Sequence, residues 1–336
     1  MTIALRGLSP RPGSALALSA GRRELLQAGA GLALSALSLW LLLLAVDEQA
    51  SLRILQHADP VLVGLAVVCL FLSLSAKIAR WGALLPRRPA VSFPQRFGIV
   101  HIGMFLNNVL PFRIGDAARC AITVRRHGVR IGHVVSSMVA ERVVDASTLT
   151  VCFLAVTPFL SGTPLQWRAQ SLVVPGLALA AGLTLAGGLL LLSRRLAPGA
   201  WARWSPSLAT FAESWRRIAS VEGWTIWVWS AVAWIGAFGI NYVLFHALGI
   251  HVSPLVAIVV GCTTNLAMLV PSSPAQVGVY HAAATLTLVA FGVDRSAAVS
   301  FSVLSHLVNV VPVSILGAGF LVASLPLRRH RVSRPA

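Results

Sequence analysis

The chain has 336 residues, of which 57% are hydrophobic and only 11% charged, and its mean hydropathy is +0.80. That balance excludes an ordinary water-soluble domain, and the length of the apolar runs excludes the nucleic-acid binder that a formal charge of +17 would otherwise suggest. Arg supplies nearly all of the positive charge, Lys77 being the only Lys, and it clusters between or beyond the apolar runs, as retention on the cytoplasmic face requires.

A basic segment, residues 1–27, carries Arg6, Arg11, Arg22 and Arg23 and precedes a run at 28–46 that is longer than a signal-peptide core and reads as a retained first span. Further apolar segments of spanning length fall at 60–79, 131–158, 171–193, 223–247 and 297–324, which predicts six full spans within a transmembrane domain at 28–324. The loop after the first span is poor in basic residues, whereas the next, with Lys77, Arg80, Arg87, Arg88 and Arg96, is rich in them. Arg125, Arg126 and Arg130, the loop at 194–222 and the tail at 325–336 continue the alternation, so both termini are expected in the cytoplasm of a multi-pass inner-membrane protein. Residues 207–220 read as a short amphipathic interfacial helix. Cys69, Cys120, Cys152 and Cys262 form no C-x-x-C pair, so neither a disulfide nor a metal site is expected.

Two segments are too broken to cross simply. Residues 97–128 interrupt an apolar half with Asn, Pro and Gly and continue into an Arg-rich half; residues 255–292 hold a Pro-Ser-Ser-Pro break between two apolar runs. Each reads as a re-entrant helical hairpin, and the charge alternation brings the two in from opposite faces, the arrangement that an inverted repeat produces. The competing reading makes each half a tilted full span. The expected fold class is thus an all-α polytopic membrane protein of six spans and two re-entrant hairpins.

Asp116, Glu141 and Asp145 are the acidic residues inside the embedded segments, and each costs about 2.5–3.5 kcal/mol at the centre of an isolated span. Glu141 and Asp145 share a helical face, and Arg142 lies about 100° round the helix from Glu141, so all three are expected to face the bundle interior. Asp116 belongs to a group with Asn107, Asn108, Pro111, Arg113, Gly115 and Arg119 at the turn of the first hairpin. One reading has Asp116, Glu141 and Asp145 paired with Arg113, Arg119 and Arg142 as a lock between hairpin and span. The other has those Arg residues clamp the phosphate of an anionic phospholipid or polyprenyl phosphate, the carboxylates competing for them or carrying protons. His281 and His306, with His101 on the first hairpin, are further titratable groups.

The order Asn108-x-x-Pro111-x-Arg113-x-Gly115-Asp116-x-x-Arg119, then Glu141-Arg142-x-x-Asp145, then Pro271-Ser-x-Pro274-x-x-x-Gly278 resembles the flippase-like transmembrane domain of lysylphosphatidylglycerol synthases and their stand-alone relatives. The resemblance covers about residues 25–325. It implies re-entrant segments and movement of lipids or lipid-linked sugars between leaflets. An anionic phospholipid is the expected lipid, no cofactor is expected, and Pro274, Gln276, Gly278, His281 and His306 complete the expected substrate site. The family's second break usually reads Pro-Gly-Gly-x-Gly-x-x-Glu; here Pro274, Ala275, Gln276, Gly278 and His281 stand at those positions, so two glycines and one acid are replaced. No counterpart of the aminoacyl-transferring domain follows the last span, so aminoacylation by this chain is not expected. A membrane-embedded glycosyl- or phosphotransferase and a scaffold for a biosynthetic complex are the alternative functions, with a second copy of the chain or a biosynthetic enzyme as protein partner.

Overall fold

A computed structural model describes residues 48–110, 113–160, 223–268 and 273–324. Every regular element among the described residues is helical: α1 (Glu48–Gln56), α2 (Pro60–Leu84), α3 (Phe93–Val109), α4 (Ile114–His127), α5 (Ile131–Val156), α6 (Trp224–Ala247), α7 (Pro254–Ala267), α8 (Val279–Ala290) and α9 (Arg295–Ser324), with 3-10 turns at Thr157–Leu160 and Pro274–Gln276. The spans expected at 28–46 and 171–193, the amphipathic helix at 207–220 and both terminal segments lie outside the described residues.

Local chemistry sets the helix starts. Asp59 accepts from the amides of Val61 (2.8 Å) and Leu62 (3.4 Å), with Pro60 in the first turn, where a missing N–H costs nothing. Ser253 with Pro254 opens α7 in the same way, and the Asp294 carboxylate accepts from Ser296 and Ala297 to open α9. At the other end, Gly128 closes α4 with φ +67°, a conformation that a Cβ disfavours.

Helices α2, α6 and α9 are long and apolar enough to cross a membrane. Helix α5 has 26 residues but carries Glu141, Arg142 and Asp145 along its length, which lowers its apolarity below that of the other three. The first broken segment folds as α3 and α4, 17 and 14 residues, packed against each other. The second folds as α7 and α8, 14 and 12 residues. One expectation needs correcting: Lys77 and Arg80 are not loop residues but lie on α2, which runs on to Leu84, and Arg80 is wholly buried. The apolar Trp81 and Leu84 that follow them are buried too and carry the helix another turn inward.

The tightest pairing is α2 on α6, where small residues let the backbones approach: Ser73 donates to the Ala233 carbonyl at 2.7 Å, and Gly236 lies against Ser73. One apolar core joins Leu70 and Leu74 of α2, Leu244 and Phe245 of α6, Val260 of α7, Leu288 of α8 and Phe301 of α9. A second joins the end of α2 (Ile78, Trp81) to Ile99 of α3 and Val134 of α5. The α3–α4 hairpin closes where Gly103 and Gly115 face each other; a Cβ on Gly115 would run into the Gly103 carbonyl oxygen. Helix α9 lies along α3, and α3 also meets the 3-10 turn in the break of the second hairpin.

Candidate functional site

The charged residues of α2, α4 and α5 form a ladder. Arg80 Nη1 lies 2.8 Å from Asp145 Oδ1 and donates to Ser230 Oγ at 2.9 Å, while its Nη2 lies 3.8 Å from Glu141 Oε1. Arg119 Nη2 donates to Glu141 Oε2 at 2.9 Å, and its guanidinium stacks 3.8 Å over the Trp81 ring. Trp81 in turn donates from Nε1 to Ser137 Oγ at 3.1 Å. Lys77 Nζ stands 4.6 Å over the Trp234 ring and within electrostatic reach of Asp145. The i, i+4 spacing of Glu141 and Asp145 on α5 thus meets the i, i+3 spacing of Lys77 and Arg80 on α2, two one-faced pairs of opposite sign. Among the described residues three cations face two carboxylates, and Arg80 Nε and Arg119 Nε find no acceptor, so the ladder is positive in excess and rich in donors.

Beside the ladder the two broken segments meet. Arg113, which has left-handed backbone angles (φ 52°, ψ 39°), donates from Nη2 to the Met268 carbonyl at 2.8 Å, so the first hairpin satisfies an orphan carbonyl at the end of α7. Gln276 Nε2 reaches the same oxygen at 3.4 Å. Asn107 donates to Asp116 Oδ1 at 3.3 Å, and Asn108 donates to Ser314 Oγ of α9 at 3.0 Å. Asp116 Oδ2 lies 3.9 Å from Arg142 Nη2, a loose pair whose Arg side chain is 58% exposed.

The second break holds left-handed residues at the places where the family usually has glycine: Ala275 has φ 51° and Gln276 φ 59°, with Gly278 at φ 91°. Each non-glycine residue there is strained by about 1–3 kcal/mol. His281 stands where the family's acid usually stands, at the third position of α8. Its Nδ1 accepts the Gly278 N–H at 3.2 Å, an end-of-helix contact that a carboxylate at that position also makes. That acceptor role fixes Nδ1 as unprotonated. The ring stacks on His306 of α9, centroids 4.7 Å apart, and Tyr280 packs edge-on against His306 while its hydroxyl shares a 2.8 Å hydrogen bond with Ser305.

Of the residues expected at the site, Asn107, Asn108, Arg113, Asp116, Arg142 and Gln276 surround the junction of the hairpins, with Pro274 in its 3-10 turn. Arg119, Glu141 and Asp145 stand in the ladder behind it, and Gly278, His281 and His306 form a separate group along α8 and α9. Two expectations fail. Arg142 does not turn inward with Glu141 and Asp145, because its 100° offset on α5 carries it to the exposed side. Arg113 pairs with no carboxylate among the described residues; its guanidinium donates to a backbone carbonyl. The residues that the sequence reading missed are Arg80 and Lys77, whose signal was the pair of cations three apart inside an apolar run that resumes at Trp81. His101 stands apart from these groups: its Nδ1 donates to the Phe97 carbonyl at 2.8 Å, and it sits among Phe71, Phe97 and Phe320.

A protein named glycosyltransferase AglD, from Haloferax volcanii, is 26% identical over 350 aligned positions, which cover 88% of this chain and 54% of that protein. The chain therefore spans about half the length of the curated relative it matches. No solved structure matches. The family model described as lysylphosphatidylglycerol synthase TM region matches residues 29–317, nearly the whole chain, and the protein belongs to that family of membrane-embedded domains with a lipid-related role.

Proposed function

We propose that the chain translocates an anionic phospholipid or a lipid-linked glycan intermediate across the cytoplasmic membrane, with the hairpin junction as headgroup site. The observation that carries this reading is the contact of two helix breaks beside a positively charged excess. Helices of 12 to 17 residues rise only about 18–26 Å, short of the roughly 30 Å hydrocarbon core, which supports two re-entrant hairpins whose tips meet inside the membrane. Irregular backbone at that depth is tolerated where it lines a site rather than faces lipid.

The cations divide by availability. Arg80 and Arg119 are held by carboxylates and keep the hairpin against α2 and α5. Arg142 is exposed and only loosely paired, so a lipid phosphate displaces Asp116 from it at little cost and gains a forked, charge-assisted contact. Asp116 then repels the bound phosphate, which keeps the complex from becoming a trap. The six-span topology, with both termini in the cytoplasm, belongs to the same proposal, as does an enzyme of lipid or glycan biosynthesis as partner.

The test is movement of fluorescent phosphatidylglycerol, and separately of a polyprenyl-phosphate glycolipid, between leaflets of proteoliposomes. Arg142→Ala is expected to slow the transported lipid by tenfold or more at equal reconstitution; full activity in that variant would remove the headgroup site. The name of the Haloferax relative favours a second reading, glycosyl transfer to a lipid. A sugar-donor-dependent change in the mass of the glycolipid, without leaflet exchange, would establish it instead.

A further inference from the structure

A groove of about 660 Å³ runs between α4 and α5, away from the ladder. Its walls follow from two stripes of period four: Ala117, Ala121 and Arg125 along the exposed face of α4, and Ile131, Val135 and Val139 along that of α5. The two alanines leave the space, and the branched side chains opposite make an apolar wall. Cys120 and Met138 complete the floor, so the groove is apolar along its length.

Both ends are charged, but unequally. At the inner end Arg142 pairs loosely with Asp116. At the outer end Arg125 lines the groove, is exposed, and has no ion-pair or hydrogen-bond partner among the described residues. Arg126 and Arg130 close by add positive charge there, and no carboxylate pairs with either among the described residues. The nine residue steps from Asp116 to Arg125 rise about 14 Å, close to the depth of one leaflet, half of a core of about 30 Å.

An apolar trough one leaflet deep with an unpaired guanidinium at its outer end has the shape and charge of one ligand class. We propose that this groove is a binding site for an anionic phospholipid in its ordinary leaflet orientation, its phosphate on Arg125 and an acyl chain against Ala117, Ala121, Val135 and Val139. The chain ends beside Asp116 and Arg142, which makes the groove a loading position next to the headgroup site. It rests on the translocator reading only for that onward step.

The site is tested in nanodiscs with two phospholipids carrying the same photoactivatable acyl chain, one phosphatidylglycerol and one phosphatidylcholine. The anionic probe is expected to label peptides spanning 117–139 at least fivefold more than the zwitterionic one. Ala121→Trp, which fills the trough from an exposed position, and Arg125→Ala, which removes the anchor, are each expected to abolish that excess, whereas Arg53→Ala on α1 leaves it intact. Equal labelling by both probes, or an excess that survives both groove variants, overturns the proposal. Preferential labelling without leaflet exchange would sink the translocator reading and leave the groove standing; exchange without preferential labelling would do the reverse.

Discussion

The two helical hairpins share a backbone plan and differ in chemistry. Each places two short helices around a break with left-handed residues, Arg113 in the first and Ala275, Gln276 and Gly278 in the second. The first is tied to its surroundings by charge, Arg119 to Glu141 and Asp116 to Arg142. The second is held by neutral groups: Thr263 with Thr287 at 2.9 Å and Gly278 with His281 within the hairpin, and Tyr280 with Ser305 of α9 outside it. A broken helix within a membrane must satisfy its freed polar groups, and either chemistry does so. Only the charged version leaves ions that a phosphate can take over, and on that ground the proposed function puts binding in the first hairpin and leaves the second as a mechanical support.

Removing an ion from the charged half breaks this comparison most severely. Arg80→Ala takes from the buried Asp145 its 2.8 Å partner, leaving only the more distant Lys77, and takes from Glu141 one of its two cations; it is expected to cost about 3–5 kcal/mol, read as lost yield and a lower melting temperature in detergent. Gly115→Ala comes next: its methyl meets the Gly103 carbonyl, and the hairpin must open to accept it, at about 1–3 kcal/mol. The sharper contrast is with Arg142→Ala, where an exposed and loosely paired ion should leave melting unchanged while lipid movement is lost. A fall in stability equal to that of Arg80→Ala would show that Arg142 belongs to the lock and not to the binding surface.

In the neutral half the effects are smaller. His281→Ala removes the acceptor for the Gly278 N–H and the stack on His306, and about 1 kcal/mol of stability is expected to go with them. His281→Glu restores the family's usual acid and a cap acceptor, so its loss in the same melting assay is expected to be smaller than that of alanine. A larger loss for glutamate would mean that the surroundings of His306 reject charge outright.

Much of the fold is legible in the sequence. Helix lengths follow from apolar run length, and the two breaks follow from Pro and Gly inside such runs. The one-faced pair Glu141 and Asp145 follows from helical period, and all of these are local signals. The partners of those carboxylates are set by which helices pack, which no local pattern encodes. Arg80 looked like a loop cation because basic residues normally mark a span's end, and only the approach of α2 to α5 shows that it is buried. Arg142 differs for a related reason: an offset of 100° from Glu141 is compatible with either the inner or the exposed side of α5, and the packing of the neighbouring helices decides between them. The fate of Arg113 depended on a carbonyl 155 positions away.

The smallest effect bears most directly on the comparison. Ala275 keeps the left-handed angles of a residue that is usually glycine in the family, so Ala275→Gly relieves steric strain in the folded chain while adding freedom to the unfolded one. Left-handed alanine costs about 1–2 kcal/mol, and the added freedom returns roughly 0.4–1 kcal/mol of that, so the net gain is expected to be below about 1.5 kcal/mol. Melting of the purified variant checks the sign. A rise with unchanged lipid movement would mean that the strain is merely tolerated in a supporting hairpin; a rise with slower movement would mean that the second break flexes during turnover, and that the support is a moving part.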